Sequence, residues 1–141
     1  MNRFIEAQSS ACTGFSKALN ELKSGRKTSH WMWYIFPQLR GLGVSELSYI
    51  YGIRDLDEAR EYLKNETLGA RLIEIVTVVL KLDTKNAVEI FGWTDSMKLR
   101  SCLTLFALAS DEENNVFEKA LQKYFDGIQD ERTIAMLNTK Q

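Results

Sequence analysis

The sequence predicts an all-α fold, a single compact multihelical domain of about seven to eight helices rather than a simple four-helix bundle. Apolar residues recur at helical spacing along most of the chain, and polar residues suited to helix caps precede these runs. The 141 residues include only one proline, a residue that breaks helices. No pair of alternating runs around a tight turn indicates a β-hairpin. We therefore expect residues 1–141 to form one all-helical domain.

In the first half of the chain, helices are expected to begin at cap residues and to end at glycine or proline. An apolar stripe from Phe4 to Leu22 ends at Gly25, and the Thr13-Gly14 pair is a place where it could divide into two helices. The next expected helices begin at Ser29, ending before Pro37, at Ser45, running through Tyr51, and at Asp55, running through Leu63.

In the second half, the run from Leu68 to Leu80 is apolar nearly all round and predicts a central helix. Its β-branched part, Ile75 to Val79, would also suit a buried strand, but the apolar pattern exceeds strand length and favours a helix. The remaining expected helices are Asn86 to Phe91, one capped by Thr94 or Asp95 through Ala109, Asn114 to Phe125, and one capped by Asp130 through Leu137.

Composition excludes several classes of function. A net charge of −1 gives no overall attraction to nucleic acid, so nucleic-acid binding is disfavoured. The longest apolar stretch, Leu72 to Leu82, is too short for a membrane span, and no signal peptide is recognisable. Cys12 and Cys102 form no disulfide framework, and a cytoplasmic location is expected. One histidine and separated cysteines offer no metal site, and no glycine-rich motif predicts a cofactor.

The segment from His30 to Gln38 holds the only histidine and two of the three tryptophans. On a helix beginning at Ser29 it would have no charged face, so we expect His30 to be buried and hydrogen-bonded. One interpretation is an ordinary aromatic core. The other is a ligand pocket with His30 as candidate catalytic acid–base and with further binding candidates at Trp31, Trp33, Tyr34 and Gln38.

Basic residues precede this segment and predict an anion site. Lys23, Arg26 and Lys27 lie just before Ser29, where a helix N-terminus would add partial positive charge and free N–H groups. Lys27 and Ser29 are therefore candidates for binding a phosphate or carboxylate. The alternative is that the basic side chains are solvated or balanced by Glu21.

Several motifs together resemble the domain of unknown function 1810 family. They are Ser29-His30-Trp31-Met32-Trp33, Phe36-Pro37-Gln38, Gly41-Leu42-Gly43, Tyr62-Leu63, Phe91-Gly92 and Lys98-Leu99-Arg100-Ser101. The resemblance covers nearly the whole chain and implies an all-helical fold, but it implies no established activity. Some members carry a calpastatin-like label, although this sequence has no calpain-inhibitory repeats.

The resemblance adds Lys98, Arg100 and Ser101, near Asp95, as ligand-binding candidates. On a regular helix the first two lie about 160° apart, so both are not expected to face one pocket. Our leading hypothesis is a small-ligand pocket, with or without catalysis, for an anionic or nucleotide-like molecule. The alternative is a non-enzymatic protein-interaction module, or a homo-oligomer, that uses an aromatic patch.

Overall fold

The computed structural model describes residues 1–139, which form ten α-helices and no β-strand. The helices are α1 Asn2–Gln8, α2 Phe15–Lys23, α3 Met32–Ile35, α4 Glu46–Ile50, α5 Leu56–Lys64, α6 Glu66–Leu80, α7 Ala87–Phe91, α8 Trp93–Ala109, α9 Val116–Phe125 and α10 Glu131–Thr139. The all-α prediction is confirmed, with more helices than the expected seven to eight. The last two residues of the expected domain, 140 and 141, lie outside the described part.

The N-terminal stripe divides into α1 and α2 at Gly14. A Cβ atom there would lie 2.2 Å from the Ser10 carbonyl oxygen and 2.4 Å from that of Gln8, so only glycine fits. The Gln8 amide nitrogen donates to the Tyr34 carbonyl oxygen at 2.8 Å and to the Tyr62 hydroxyl at 3.0 Å. These buried bonds hold α1 against α3 and α5.

Most helix starts predicted from cap residues are confirmed. The side chains of Ser45, Asp55 and Asn86 each accept a backbone N–H bond at the start of α4, α5 and α7. Asn115 caps α9 in the same way, and Asp130 accepts from the Thr133 N–H at 3.1 Å.

Two predicted caps are wrong. Helix α3 begins only at Met32, so Ser29 precedes it by three residues and caps nothing. Helix α8 begins at Trp93 after Gly92, so Thr94 and Asp95 lie inside its first turn. A helix N-terminus needs no side-chain cap where its N–H groups find other partners or solvent.

The core is centred on α8. Every residue of this helix from 101 to 106 is buried, whereas α6, the helix expected to be central, presents Ile73 to solvent with 47% of its surface exposed. Helix α6 is nevertheless helical throughout, as predicted, and not a strand. Within residues 1–139, no helix combines the length and apolarity needed to cross a membrane.

The connection between α2 and α3 is fixed by one buried carboxylate. Glu21 Oε1 accepts the backbone N–H of Thr28 at 2.7 Å, the backbone N–H of Ser29 at 2.9 Å and the indole N–H of Trp31 at 3.0 Å. Burial raises the pKa of this carboxyl, but hydrogen bonds from Ser29, Thr28 and Trp31 outweigh that effect and lower it to about 2. The carboxylate therefore stays ionised and holds the loop onto α2.

A second connection, between α3 and α5, carries an isolated parallel bridge and a close approach. The Ile53 N–H donates to the Gln38 carbonyl oxygen and the Arg40 N–H donates to the Ile53 carbonyl oxygen, both at 2.8 Å. Gly43 lies against the edge of the Trp33 indole. A Cβ atom on Gly43 would come within 2.7 Å of Trp33 Cη2.

We predict that Glu21→Gln destabilises the protein at neutral pH by up to about 3 kcal/mol. The folded-state pKa of Glu21, about 2, lies below the ordinary value of 4.5. Its stabilising contribution is therefore present above pH 4.5 and is lost as the pH falls toward 2. Urea denaturation across this range should show the two stabilities converging. Glu74→Gln, at an exposed position of α6, is the control, and a pH-independent difference would contradict the prediction.

We also predict that Gly43→Ala destabilises the fold by about 1–3 kcal/mol, because the new methyl group overlaps Trp33 and Ser48. The displaced indole should change the tryptophan emission spectrum. Val44→Ala, at the fully exposed neighbouring position, should change neither quantity. An unaltered melting temperature and spectrum in Gly43→Ala would show that this contact is not tight.

Candidate functional site

Two adjoining cavities lie on either side of Trp33 and Lys98. The histidine-side cavity, of about 160 Å³, is lined by these two residues with His30, Lys27, Trp31 and Asp95 among others. The glutamine-side cavity, of about 320 Å³, is lined by the same two with Gln38, Arg100, Ser101, Asp130 and Arg132 among others. The structure thus brings most of the candidate residues of α3 and α8 to one region.

Trp33 and Lys98 line both cavities, and we call this pair of residues the partition. The Lys98 ammonium group lies 4.9 Å from the centre of the Trp33 ring, within cation–π range, and 3.2 Å from Asp95 Oδ1. Both side chains are only partly buried. Either one is therefore available to a ligand in either cavity.

In the histidine-side cavity both lysines already contact the same carboxylate, Asp95. Lys27 Nζ lies 2.8 Å from Asp95 Oδ2 and donates to the Ser29 carbonyl oxygen at 2.5 Å, and its side chain is only 8% exposed. The Ser29 N–H, expected to be free, is bonded to Glu21. Internal carboxylates thus occupy the donors that the sequence assigned to an external anion, and Ser29 lines neither cavity.

His30 is exposed, so the prediction of a buried, hydrogen-bonded histidine is wrong. It precedes α3 instead of lying on a helical arc with the tryptophans, because the helix begins at Met32. Its carbonyl oxygen lies 3.4 Å from the Tyr34 hydroxyl oxygen, but its imidazole has no hydrogen-bond partner among residues 1–139. The ring lies at the rim of the histidine-side cavity.

Trp31 and Tyr34 belong to the core. Trp31 has no exposed surface and donates its indole N–H to Glu21, so it backs the histidine-side cavity but cannot stack on a ligand. The Tyr34 hydroxyl donates to the Thr13 carbonyl oxygen at 2.7 Å, and burial raises the pKa of this hydroxyl. Tyr34 lines neither cavity. These two residues are therefore part of an ordinary aromatic core.

The glutamine-side cavity contains two buried donors without acceptors. Gln38 is 2% exposed, and neither its Nε2 nor the Nε of Arg100 has a hydrogen-bond partner in the described part of the chain. Arg100 places its guanidinium 5.8 Å from the centre of the Phe125 ring. Buried donors are normally paired, and each unpaired one costs about 1–3 kcal/mol.

Lys98 and Arg100 both line this cavity, contrary to the expectation from their helical angle. That angle describes where the side chains leave the helix, whereas flexible side chains of this length can bend back toward a shared space. Ser101 also lines the cavity, and its hydroxyl oxygen lies 3.2 Å from the Met97 carbonyl oxygen and 3.1 Å from Asp130 Oδ2.

Sequence reasoning missed Arg132 because its position depends on how α10 packs. Asp130 joins α10 to α8: its N–H donates to Thr104 Oγ1 at 2.9 Å, and its carboxylate accepts from Ser101 and Thr133. This brings the exposed Arg132, in the first turn of α10, to the cavity. Neither Arg100 nor Arg132 forms an ion pair within residues 1–139.

The described residues offer neither a metal cluster nor a reactive thiol at this site. No three histidine, cysteine or acidic side chains among them come together as a metal ion would require. Cys12 is exposed and lines neither cavity, and burial raises the pKa of Cys102 well above its ordinary value. The chemistry available in these cavities is therefore cationic and hydrogen-bonding, with one exposed imidazole.

Comparisons with known proteins identify relatives of unknown function. The conserved hypothetical protein Rv1873 from Mycobacterium tuberculosis, whose crystal structure is known, is 45% identical to this chain in sequence. It aligns over 97% of this chain and 95% of that one, with a TM-score of 0.92. No curated protein matches the sequence. The family model described as a protein of unknown function (DUF1810) matches residues 1–137, and the chain belongs to this family.

Proposed function

We propose that the protein binds a small anionic molecule in the glutamine-side cavity. The observation that carries the proposal is a pair of buried donors, Gln38 Nε2 and Arg100 Nε, which have no acceptor in the described chain and belong to two residues that line one cavity. A ligand oxygen or ring nitrogen would supply the missing acceptors. Its binding would thereby remove the free-energy cost of both unpaired groups.

The charges around the cavity support an anion. Lys98, Arg100 and Arg132 line it, and Asp130 is the only carboxylate among its described lining residues. Asp130 is already engaged by Ser101 and Thr133. Arginine binds phosphate and carboxylate through two parallel N–H bonds, so the free guanidinium groups suit either anion.

A catalytic role for His30 would need a ligand that reaches both cavities. The histidine lies beyond Trp33 and Lys98 from the two unpaired donors. The proposal is therefore of binding, and catalysis by His30 applies only to ligands that extend past the partition.

We also propose a cytoplasmic location for the protein, because the free thiols of Cys12 and Cys102 would remain reduced there.

We predict that phosphate-bearing probes raise the melting temperature of the protein and quench its tryptophan fluorescence. Suitable probes are inorganic phosphate, ribose 5-phosphate and adenosine 5′-monophosphate, with citrate representing carboxylates. Arg100→Met should weaken binding about tenfold or more, because it removes a charged hydrogen-bonding group. Binding should also weaken as salt is added.

The matched control is Arg26→Met, which removes an exposed arginine that lines neither cavity. Equal weakening in both variants would show general electrostatic attraction, not a site at Arg100. If none of the probes shifts the melting temperature or the fluorescence, the proposed function is wrong.

A second candidate function is protein interaction through residues 44–50. Val44, Leu47, Tyr49 and Ile50 are exposed large apolar side chains in and before α4, and surfaces of this kind often mark interfaces. This surface differs from the expected aromatic patch, because Trp31 is buried.

The interaction hypothesis predicts concentration-dependent self-association that Leu47→Asp abolishes, measured by sedimentation velocity. Leu108→Asp is the control, because Leu108 is an exposed leucine near the C-terminal end of α8, outside residues 44–50. A monomer at every concentration would contradict the homo-oligomer form of this hypothesis.

A further inference from the structure

We infer that the anionic ligand is a nucleotide, with its base bound by Gln38 and Trp33 and its phosphate by Arg100 and Arg132. The inference rests on the proposed function and specifies the class of ligand that the same cavity takes. It follows from the neutral, planar and cationic groups that line one cavity.

The neutral group is the Gln38 carboxamide. A site for a simple anion requires only cations and N–H donors, whereas a carboxamide offers a donor and an acceptor side by side. Nucleobase edges present adjacent donors and acceptors, and glutamine pairs with them through both ends of its amide. Gln38 lines the cavity, and its buried Nε2 has no partner among residues 1–139, so a base edge toward which the carboxamide turns would provide one.

The backbone around Gln38 is fixed before any ligand binds. Its carbonyl oxygen accepts the Ile53 N–H at 2.8 Å, and Pro37, which precedes it, restricts the chain. The backbone that carries the carboxamide is therefore held in one position. Such preorganisation reduces the entropy lost on binding.

The planar group is the Trp33 indole, which is partly exposed and lines the cavity together with Gln38. Gly43 packs closely against the edge of the ring, and the Lys98 ammonium lies 4.9 Å from its centre. These contacts hold the indole in place. Stacking of a base on an aromatic ring stabilises binding in many nucleic-acid-binding proteins.

The cationic groups come from different helices. Arg100 lies on α8 and Arg132 on α10, and the hydrogen bonds of Asp130 to Ser101 and Thr104 hold these helices together. Two arginines that have no carboxylate partner among residues 1–139 suit a phosphate group. The cavity therefore combines a neutral subsite for a base with a cationic subsite for a phosphate.

The test compares whole and partial ligands on the full-length protein. The adenosine, guanosine, cytidine and uridine 5′-monophosphates represent whole ligands, ribose 5-phosphate lacks the base, and adenosine lacks the phosphate. Dissociation constants come from isothermal titration calorimetry, and unliganded stability comes from thermal melting. We expect at least one nucleotide to bind more tightly than both ribose 5-phosphate and adenosine.

Two variants separate the subsites. Gln38→Met keeps the length of the side chain, and it should weaken the preferred nucleotide about three- to tenfold while leaving ribose 5-phosphate unchanged. Arg100→Met should weaken both phosphates and leave adenosine unchanged. The unliganded Gln38→Met protein should melt no lower than the wild type, because the substitution removes an unpaired buried polar group.

Different failures have different meanings. If ribose 5-phosphate binds as tightly as every nucleotide, or if Gln38→Met has no effect on nucleotide binding, the inference is overturned and the anion site remains. A lower melting temperature in Gln38→Met would assign Gln38 a structural role and also overturn the inference. If no anionic probe binds at all, the inference and the proposed function both fail.

Discussion

The architecture of the candidate site depends on the buried Glu21 carboxylate. Its three hydrogen bonds, from Thr28, Ser29 and the Trp31 indole, connect α2 to the loop that leads into α3. Without Glu21 the indole N–H of the fully buried Trp31 would have no acceptor at this position, which is costly. Because Trp31 is anchored in this way, α3 begins at Met32 and Trp33 emerges toward α8. The partition between the two cavities thus follows from an acid on a different helix.

The parts of the fold that depend on local interactions were predictable from sequence. Caps such as Ser45 and Asp55 bind N–H groups two or three residues ahead, so their spacing alone identifies the helix start. Ser29 is not a cap: its N–H donates to Glu21, eight residues earlier in the chain, and α3 begins only at Met32. The tertiary contact of one carboxylate decided a local structure that the residues at 29–35 did not specify by themselves.

The late start of α3, at Met32, also explains why the site was only partly predictable. The residue types in the signature were informative, since Trp33, Gln38, Lys98, Arg100 and Ser101 all line one cavity. The orientation of these side chains was not predictable. A helix that starts at Met32 instead of Ser29 contains neither His30 nor Trp31, and His30 is exposed. Arg132 could not be assigned from sequence, since its place depends on how Asp130 docks α10 against α8. Residues that meet through long-range packing have no fixed separation along the chain, whereas a cap and the N–H group that it binds do.

The balance of charge distinguishes the two cavities. On the histidine side, Asp95 accepts from Lys27 and Lys98, so an entering anion would compete with an internal carboxylate. On the glutamine side, Asp130 is occupied by hydroxyl and N–H donors and leaves the arginines without a counter-ion in the described chain. A cation that is already paired with a carboxylate gains less from an anionic ligand than a cation without a counter-ion does. Electrostatics therefore directs an anionic group to Arg100 and Arg132, and Lys98, which lines both cavities, would respond to a ligand in either.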